Sequence, residues 1–320
     1  MKVVTIPHGW YPDDINSRLD FDEFSSKSEE SILFVGISCT EQIDPIHLAM
    51  NTKYSAYVNL EHPCTLYGPN NSLGLDPISQ QMMYNQVYTI CPYTADWLNS
   101  IQSNTKFIPM PYPHNLKYDI YEEERIKKVY DVAYCGLIHS DEIASYIRAI
   151  SPYKYFFSTI KEYNRNKTVN NLATHDNIPN TKKWDVLSTS RASIIQNNLY
   201  LNAEQIKIVK NLPRWNENKA FSHIDTGLLP QLKSRTVEAA ICKSLMIVKK
   251  DPWNVIEHWF EPGKDFIYFE DPLDLSEKVK DIKANWEKYI PMIENAYQKV
   301  KTTYNTKHIF EQIKNRKEII

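Results

Sequence analysis

The sequence predicts an α/β protein of two domains, each built around a parallel sheet. Short apolar segments alternate with helical patterns along the chain, an order typical of α/β folds. The alternation stops at a proline-rich segment and then starts again. The length of 320 residues suits two domains, and 42% hydrophobic residues are enough to form a core in each.

Four segments before the proline-rich stretch predict strands that are buried on both faces of a sheet. They are short, rich in β-branched and aromatic residues and without strict alternation, and they span residues 2–6, 31–37, 55–60 and 87–91. The following TADWLNSIQ predicts a helix with Thr94 as its N-cap. Pro109, Pro111 and Pro113 then exclude a helix or a central strand. A first domain is therefore predicted over residues 1–115.

The second domain is predicted over residues 116–303. Its first strand runs into a loop at Gly136, and its strands are the segments VYDVAYC, KYFFSTI, ASIIQ, SLMIVKKD and DFIYFED. An amphipathic helix follows, because apolar residues recur at helical spacing at Leu275, Val279, Ile282, Trp286 and Ile290. Residues 304–320 predict a charged terminal helix that packs back over the surface.

Several classes of protein are excluded by what the sequence lacks. None of the seven glycines lies within five residues of another, so the glycine patterns of dinucleotide-binding and P-loop proteins are missing. No His, Asp or Cys cluster has metal-ligand spacing, which predicts a function that needs no metal ion or other cofactor. Neither a membrane-spanning apolar segment nor a signal peptide is recognisable, and the five cysteines are scattered, so a cytoplasmic protein with reduced thiols is expected.

The strongest functional pattern is PQLKSRTVEAAICKSLMIVKKD, residues 230–251. Ser234 is predicted as the N-cap of a helix that begins at Arg235. The residues that face the core of this helix are predicted to be Val237, Ala240 and Ile241. Arg235 and Glu238 then share the other face of the helix near its N-terminus.

A basic helix N-terminus of this kind can bind phosphate, because its N–H groups and dipole favour anions. Lys233 and Arg235 add two full charges there, and Glu238 can accept two hydrogen bonds from a ribose diol. The three residues together predict a site for a nucleoside diphosphate. A plainer interpretation stays open, since an arginine and a glutamate at this spacing are common on exposed helix surfaces.

Residues 230–312 resemble glycosyltransferases of GT-B architecture, in which two Rossmann-like domains face each other across a cleft. The similarity lies in a basic residue before EAAI on a helix, an apolar strand, FEPGKD, an aromatic strand and DPLDL before an amphipathic helix. It is greatest to the group related to spore-coat maturation glycosyltransferases. The resemblance implies that Glu238 binds the ribose of a nucleoside-diphosphate sugar, UDP-linked in our expectation, and that the basic residues before it contact the diphosphate.

The same resemblance implies that two loops bind the donor. Gly136 and His139 stand where this fold meets the donor phosphates. The element order also resembles that of phage DNA β-glucosyltransferases, and in that comparison the backbone of Ile178 pairs with the nucleotide base. A hydroxymethylated DNA base therefore joins a glycan or a small molecule as an expected acceptor.

The predicted catalytic residues lie in the first domain. Many retaining members carry an acid at the positions of Pro230 and Gln231, so an inverting, metal-independent transfer is expected, with a general base elsewhere. Glu61 ends a predicted strand and is the first candidate, although it could equally cap a backbone turn. Other candidates are His8 and Asp13 in the loop PHGWYPDD.

Two other functions remain open. A nucleotide-sugar 2-epimerase shares the architecture but would enclose its sugar and need no acceptor groove. A non-enzymatic two-domain binding protein would take a free ligand without a nucleotide.

Overall fold

A computed structural model of the chain describes residues 2–5, 31–36, 54–59, 83–101, 104–108 and 127–314. The contacts divide the chain into two compact units. The first comprises Met1–Leu116, Leu201–Gln231 and Tyr304–Ile320, and the second comprises Lys117–Tyr200 and Leu232–Thr303.

The first unit contains a five-stranded parallel sheet in sequential strand order. Its strands are β1 (Lys2–Thr5), β2 (Ser31–Gly36), β3 (Tyr54–Asn59), β4 (Gln86–Thr89) and β5 (Thr105–Phe107). The four strands predicted from the sequence are confirmed to within two residues. β5 was not predicted, because it has only three residues and ends two positions before Pro109, so its apolar pattern is too short to be recognised.

The second unit contains a six-stranded parallel sheet in the order β13-β12-β9-β6-β7-β8. The strands of this sheet are β6 (Tyr130–Cys135), β7 (Tyr155–Thr159), β8 (His175–Asp176), β9 (Ser190–Ile195), β12 (Leu245–Lys249) and β13 (Ile267–Phe269). Two short strands, β10 (Asn198–Tyr200) and β11 (Leu228–Pro230), are not part of it. The five strands predicted for this domain are β6, β7, β9, β12 and β13. Together with the first sheet they confirm the α/β class.

The described helices are α1 (Pro92–Ile101), α2 (Asp141–Ile150), α3 (Asn180–Ser188), α4 (Ala203–Lys210), α5 (Ser234–Ile241), α6 (Pro272–Ala284), α7 (Ile290–Thr302) and α8 (Thr306–Lys314). Helices α2 and α6 fill one core cluster of the second unit with Ile143, Ile147, Leu275, Val279 and Ile282. Helix α5 packs on β12 and against α3 and α7.

Two predicted helix boundaries outside α5 are wrong. Thr94 is not the N-cap of α1, which already begins at Pro92, because proline fits the first turn where its missing N–H costs nothing. The helix over Leu275–Ile290 ends at Ala284, since Asn285 leaves helical geometry and a proline follows at the start of α7. Ile290 is consequently exposed.

The segment 201–231 belongs to the first unit, although it was predicted within the second domain. Trp97 of α1 explains the placement. Its indole N–H donates to the Pro213 carbonyl at 2.9 Å, and its ring meets Phe221 edge to face at 5.4 Å. Because Trp97 is fully buried, this contact ties the segment to α1 rather than to the second sheet.

Asp131 organises the edge of the second sheet where β6 begins. Its buried carboxylate accepts from Arg191 and from Lys283, each at 2.9 Å, and from the backbone of Lys154 at 3.2 Å. Two cations and an N–H group satisfy this buried charge, so its role is structural. The loop that carries Gly136 leaves the opposite end of the same strand.

Candidate functional site

The first turn of α5 is fixed by an amide from another element. The helix begins at Ser234, and its N-cap Lys233 makes no side-chain capping bond. Asn197, two residues after β9, accepts through Oδ1 from the Lys233 N–H at 3.1 Å and from the Thr236 hydroxyl at 3.0 Å. The prediction of Ser234 as N-cap is therefore wrong, because a distant carboxamide satisfies the helix end instead.

Arg235 lies in a space that only glycine leaves open. Its guanidinium carbon is 5.1 Å from the centroid of the Tyr134 ring, and the Tyr134 hydroxyl donates to the Leu137 carbonyl at 3.0 Å. A Cβ on Gly136 would stand 2.8 Å from both Cζ and Nη1 of Arg235, which is too close for real atoms. The structure thus brings together Gly136 and Arg235, two of the candidate donor-binding residues, and a cation–π contact orients the guanidinium.

Glu238 lies one turn further along α5 and is 1% exposed. Its carboxylate forms an ion pair with the ammonium of Lys183 on α3, which is the more exposed partner. The predicted core positions Val237, Ala240 and Ile241 are confirmed as buried on the same helix. Lys183 was not predicted, since a lysine in a polar helix carries no signal of a buried partner 55 positions away.

His139 lies in the loop between β6 and α2 and is held as a neutral imidazole. Burial, together with the positive charges of Arg165, Lys233 and Arg235, lowers the pKa of His139 to about 4. Its neighbour Ser140 is the N-cap of α2 and accepts from the Ile143 N–H at 3.2 Å. The charges that act on His139 place it in the same electropositive environment as the N-terminus of α5.

Several buried polar atoms around this helix end have no hydrogen-bond partner among the described residues. They are His139 Nδ1, Gln196 Nε2, Asn197 Nδ2, Asn198 Oδ1 and Arg235 Nη1. All five belong to the loop after β6, the segment after β9 or the first turn of α5. Buried polar groups are normally paired, so such a concentration marks a place where a polar ligand can bind.

Of the other predicted site residues, the structure describes Ile178 but not the candidate catalytic residues. Ile178 is half-buried between β8 and α3, after Asn177, whose positive φ of 47° turns the chain. The candidate catalytic residues Glu61, Asp13 and His8 lie outside the described residues. In the part of the chain that the structure describes, no group of three His, Cys, Asp or Glu could hold a metal ion. No helix in that part is long and apolar enough to cross a membrane.

Two units with parallel sheets, the second with a basic helix N-terminus at the end of its strands, define the GT-B class of nucleotide-sugar glycosyltransferase folds. The chain belongs to the glycosyl transferase-like family, whose profile matches residues 155–315. No curated protein sequence matches the chain.

Solved structures agree with this fold class. HepE of Anabaena in complex with UDP aligns over 99% of both chains with 10% identity and a TM-score of 0.56. Sucrose-phosphate synthase of Thermosynechococcus elongatus aligns over 92% of this chain and 75% of its own, with 10% identity and a TM-score of 0.54. The pneumococcal O-GlcNAc transferase GtfA, in complex with UDP and GlcNAc, gives 11% identity and 0.52 over 89% of this chain.

The chain spans just over half the length of GtfA and of TarM, at 56% and 54% of those chains. At these identities the similarity establishes the fold. The predicted GT-B architecture and glycosyltransferase family are confirmed. The closer resemblances to spore-coat maturation enzymes and to phage DNA β-glucosyltransferases stay predictions.

Proposed function

We propose that the protein transfers a sugar from a UDP-sugar to an acceptor hydroxyl. The observation that carries this proposal is the position of Arg235, stacked on Tyr134 against Gly136 with the carboxylate of Glu238 one turn behind it. A diphosphate and a ribose are spaced in the same order along a nucleoside diphosphate. UDP in the complexes of HepE and GtfA supports uracil as the base of the donor nucleotide.

The diphosphate is bound by Lys233, Arg235 and His139 in this proposal. Arginine presents a planar fork of donors to phosphate oxygens, and lysine supplies a mobile point charge. Gly136 allows the phosphate as well as Arg235 to approach the loop closely. Two cations at a helix N-terminus can stabilise the leaving diphosphate electrostatically, which is why we propose transfer without a metal ion.

The ribose diol is bound by Glu238, and this step involves Lys183. The carboxylate is almost fully buried and paired, so the ribose hydroxyls must share it with the ammonium or replace it. Lys183 has the longer and more exposed side chain and is the partner that can move. We infer that its ammonium turns toward the diphosphate when the ribose binds, because a charge released from one carboxylate needs another anion nearby.

The base is held by the chain around Ile178. This residue lies between β8 and α3, at the carboxyl end of a strand where nucleotide sites form in open α/β sheets. Its backbone N–H and C=O can pair with the edge of uracil. Recognition through the backbone would leave base selectivity largely independent of the side chain at this position.

The chemistry is proposed to invert the anomeric configuration. Pro230 and Gln231 offer no carboxylate where retaining members carry one. Glu61 is the proposed general base that takes the proton of the acceptor hydroxyl, with Asp13 and His8 as alternatives. The acceptor class extends to glycans, small molecules and hydroxymethylated DNA bases, and an acceptor screen with the identified donor decides among them.

Titration calorimetry with UDP, GDP, uridine and free sugars tests the donor site. We expect UDP to bind and the free sugars not to bind. Binding of a free sugar without any nucleotide would instead favour a two-domain binding protein. A screen of UDP-sugars for thermal stabilisation then identifies the donor, and release of the 2-epimer without an acceptor would favour an epimerase.

Glu61→Gln tests the catalytic assignment once donor and acceptor are known. The glutamine keeps the shape of the side chain but cannot accept the proton, so turnover should fall by about 10²–10⁴-fold while donor affinity is unchanged. Near-parental turnover would transfer the role to Asp13 or His8. NMR of the product gives its anomeric configuration, and a retained configuration would contradict the inverting mechanism.

A further inference from the structure

Asn197 is the residue at the α5 N-terminus whose hydrogen bonding is only half explained by the fold. Its side chain is fully buried two residues after β9. Oδ1 accepts from the Lys233 N–H and from the Thr236 hydroxyl, both in or next to the first helical turn. Nδ2 has no partner among the described residues.

The orientation of this carboxamide follows from its partners. A backbone N–H can only donate, so the atom that faces Lys233 must be the amide oxygen. The amide nitrogen therefore projects from the other branch of the same group, with two hydrogens to donate. Leaving a buried donor without a partner is unfavourable, and a flip of the amide would place its NH2 group against the Lys233 N–H, which cannot accept a hydrogen bond.

Other groups at the N-terminus of α5 indicate which chemistry can satisfy Nδ2. Arg235 Nη1 and His139 Nδ1 are two further buried nitrogens without a partner among the described residues. Lys233, bonded to Asn197 through its backbone, contributes a positive charge to the same environment. Nitrogen donors and positive charges at a helix N-terminus together fit an oxyanion with several acceptor oxygens.

We propose that Asn197 fixes the N-terminus of α5 through Oδ1 and binds the diphosphate of the donor through Nδ2. This inference rests on the proposed function and adds a residue to it. The same carboxamide would position the backbone of Lys233 and bind the anion that the Lys233 ammonium attracts.

Asn197→Asp tests the assignment with a near-isosteric side chain. The carboxylate still accepts from Lys233 and Thr236, but it cannot donate and it repels phosphate. We expect the affinity for inorganic pyrophosphate and for UDP to fall by about 10–150-fold, the range for hydrogen bonds to charged groups, with uridine binding unchanged. Should this variant not fold, Asn197→Ser is titrated instead and should lose phosphate affinity in the same selective way.

Thr236→Val is the matched control for a purely structural role. It removes one contact of Oδ1 and leaves Nδ2 intact, so it should lower the melting temperature while pyrophosphate affinity stays within about twofold. An equal loss of pyrophosphate affinity in Thr236→Val and Asn197→Asp would overturn the contact with phosphate. So would pyrophosphate binding by Asn197→Asp at parental strength.

Pyrophosphate separates this inference from the proposed function. A parent protein that binds pyrophosphate in an Asn197-dependent manner but no nucleoside diphosphate would contradict the glycosyltransferase proposal and support the Asn197 assignment. A parent protein that binds UDP, together with an Asn197→Asp variant that binds it equally well, would overturn the Asn197 assignment alone. Binding of neither ligand by the parent would overturn both.

Discussion

Gly136→Ala should disable the donor site by displacing one side chain. The backbone of Gly136 does not have a positive φ, so alanine can adopt its conformation. The new methyl group would lie 2.8 Å from Cζ and Nη1 of Arg235. These atoms are the end of a flexible side chain, so Arg235 moves and the fold is retained.

The magnitude follows from the two contacts that Arg235 would lose. Its stacking on Tyr134 at 5.1 Å is worth about 0.5–2 kcal/mol to its orientation. Hydrogen bonds from its guanidinium to phosphate contribute about 1.5–3 kcal/mol. We expect UDP to bind about 10–150-fold more weakly, since about 1.4 kcal/mol corresponds to a factor of ten. Uridine, which has no phosphate, should bind as before.

A double-mutant cycle identifies Arg235 as the cause. UDP and uridine are titrated by calorimetry into the parent, Gly136→Ala, Arg235→Ala and the double variant. Without the guanidinium the alanine meets no clash with it, so the double variant should bind UDP within about twofold of Arg235→Ala. Additive losses in the double variant, or parental affinity in Gly136→Ala, would refute the reasoning.

Three further changes test other parts of the site and of the fold. Glu238→Ala should weaken UDP binding by about 1.5–3 kcal/mol but leave 2′,3′-dideoxy-UDP unaffected; equal losses for both ligands would contradict a ribose contact. A bound diphosphate counteracts the positive charges that help to hold the pKa of His139 at about 4, so UDP binding near pH 5–6 should be accompanied by proton uptake at this imidazole. His139→Gln should abolish that uptake, which calorimetry in two buffers of different ionisation enthalpy measures. Burial lowers the pKa of Lys128 to about 8 from the usual 10.5. Between about pH 8 and 10.5 the unfolded chain therefore binds more protons at this residue than the folded protein, and the free energy of unfolding rises with pH. The free energy of unfolding in urea should therefore rise relative to Lys128→Met in that window, and parallel curves would contradict this.

Much of the second unit could be predicted because its signals are local. The strands are continuous apolar segments, and the basic helix N-terminus is a short pattern within one segment. The resemblance to GT-B enzymes implied that Gly136 lies near the donor, but its contact with Arg235, 99 positions away, is known only from the structure. The start of α1 and the end of α6 were predicted wrongly, because the backbone geometry at Pro92 and Asn285 sets them and the spacing of apolar residues does not reflect it.

Two contacts of the site were not predicted, because they join elements that are distant in sequence. Lys183 reaches Glu238 from another helix, and Asn197 reaches α5 from the end of β9. Neither belongs to a periodic pattern, and an asparagine pair after a strand is also an ordinary turn signal. Such partners are set by the packing of elements that are distant in sequence, so only coordinates reveal them. The assignments of Glu61, Asp13 and His8 stay predictions.

The electrostatics of the second unit favour an anion of more than one charge. Burial and the charges of Arg165, Lys233 and Arg235 together lower the pKa of His139, so the folded protein is more stable when this imidazole is neutral. His139 thus contributes stability above about pH 6.5, and that contribution is lost as the pH falls through about 4. The buried carboxylate at this helix end, Glu238, is already paired with Lys183. A single carboxylate ligand could not offset such a field and also satisfy Asn197 Nδ2 and Arg235 Nη1, whereas a diphosphate brings both the charge and the acceptor oxygens.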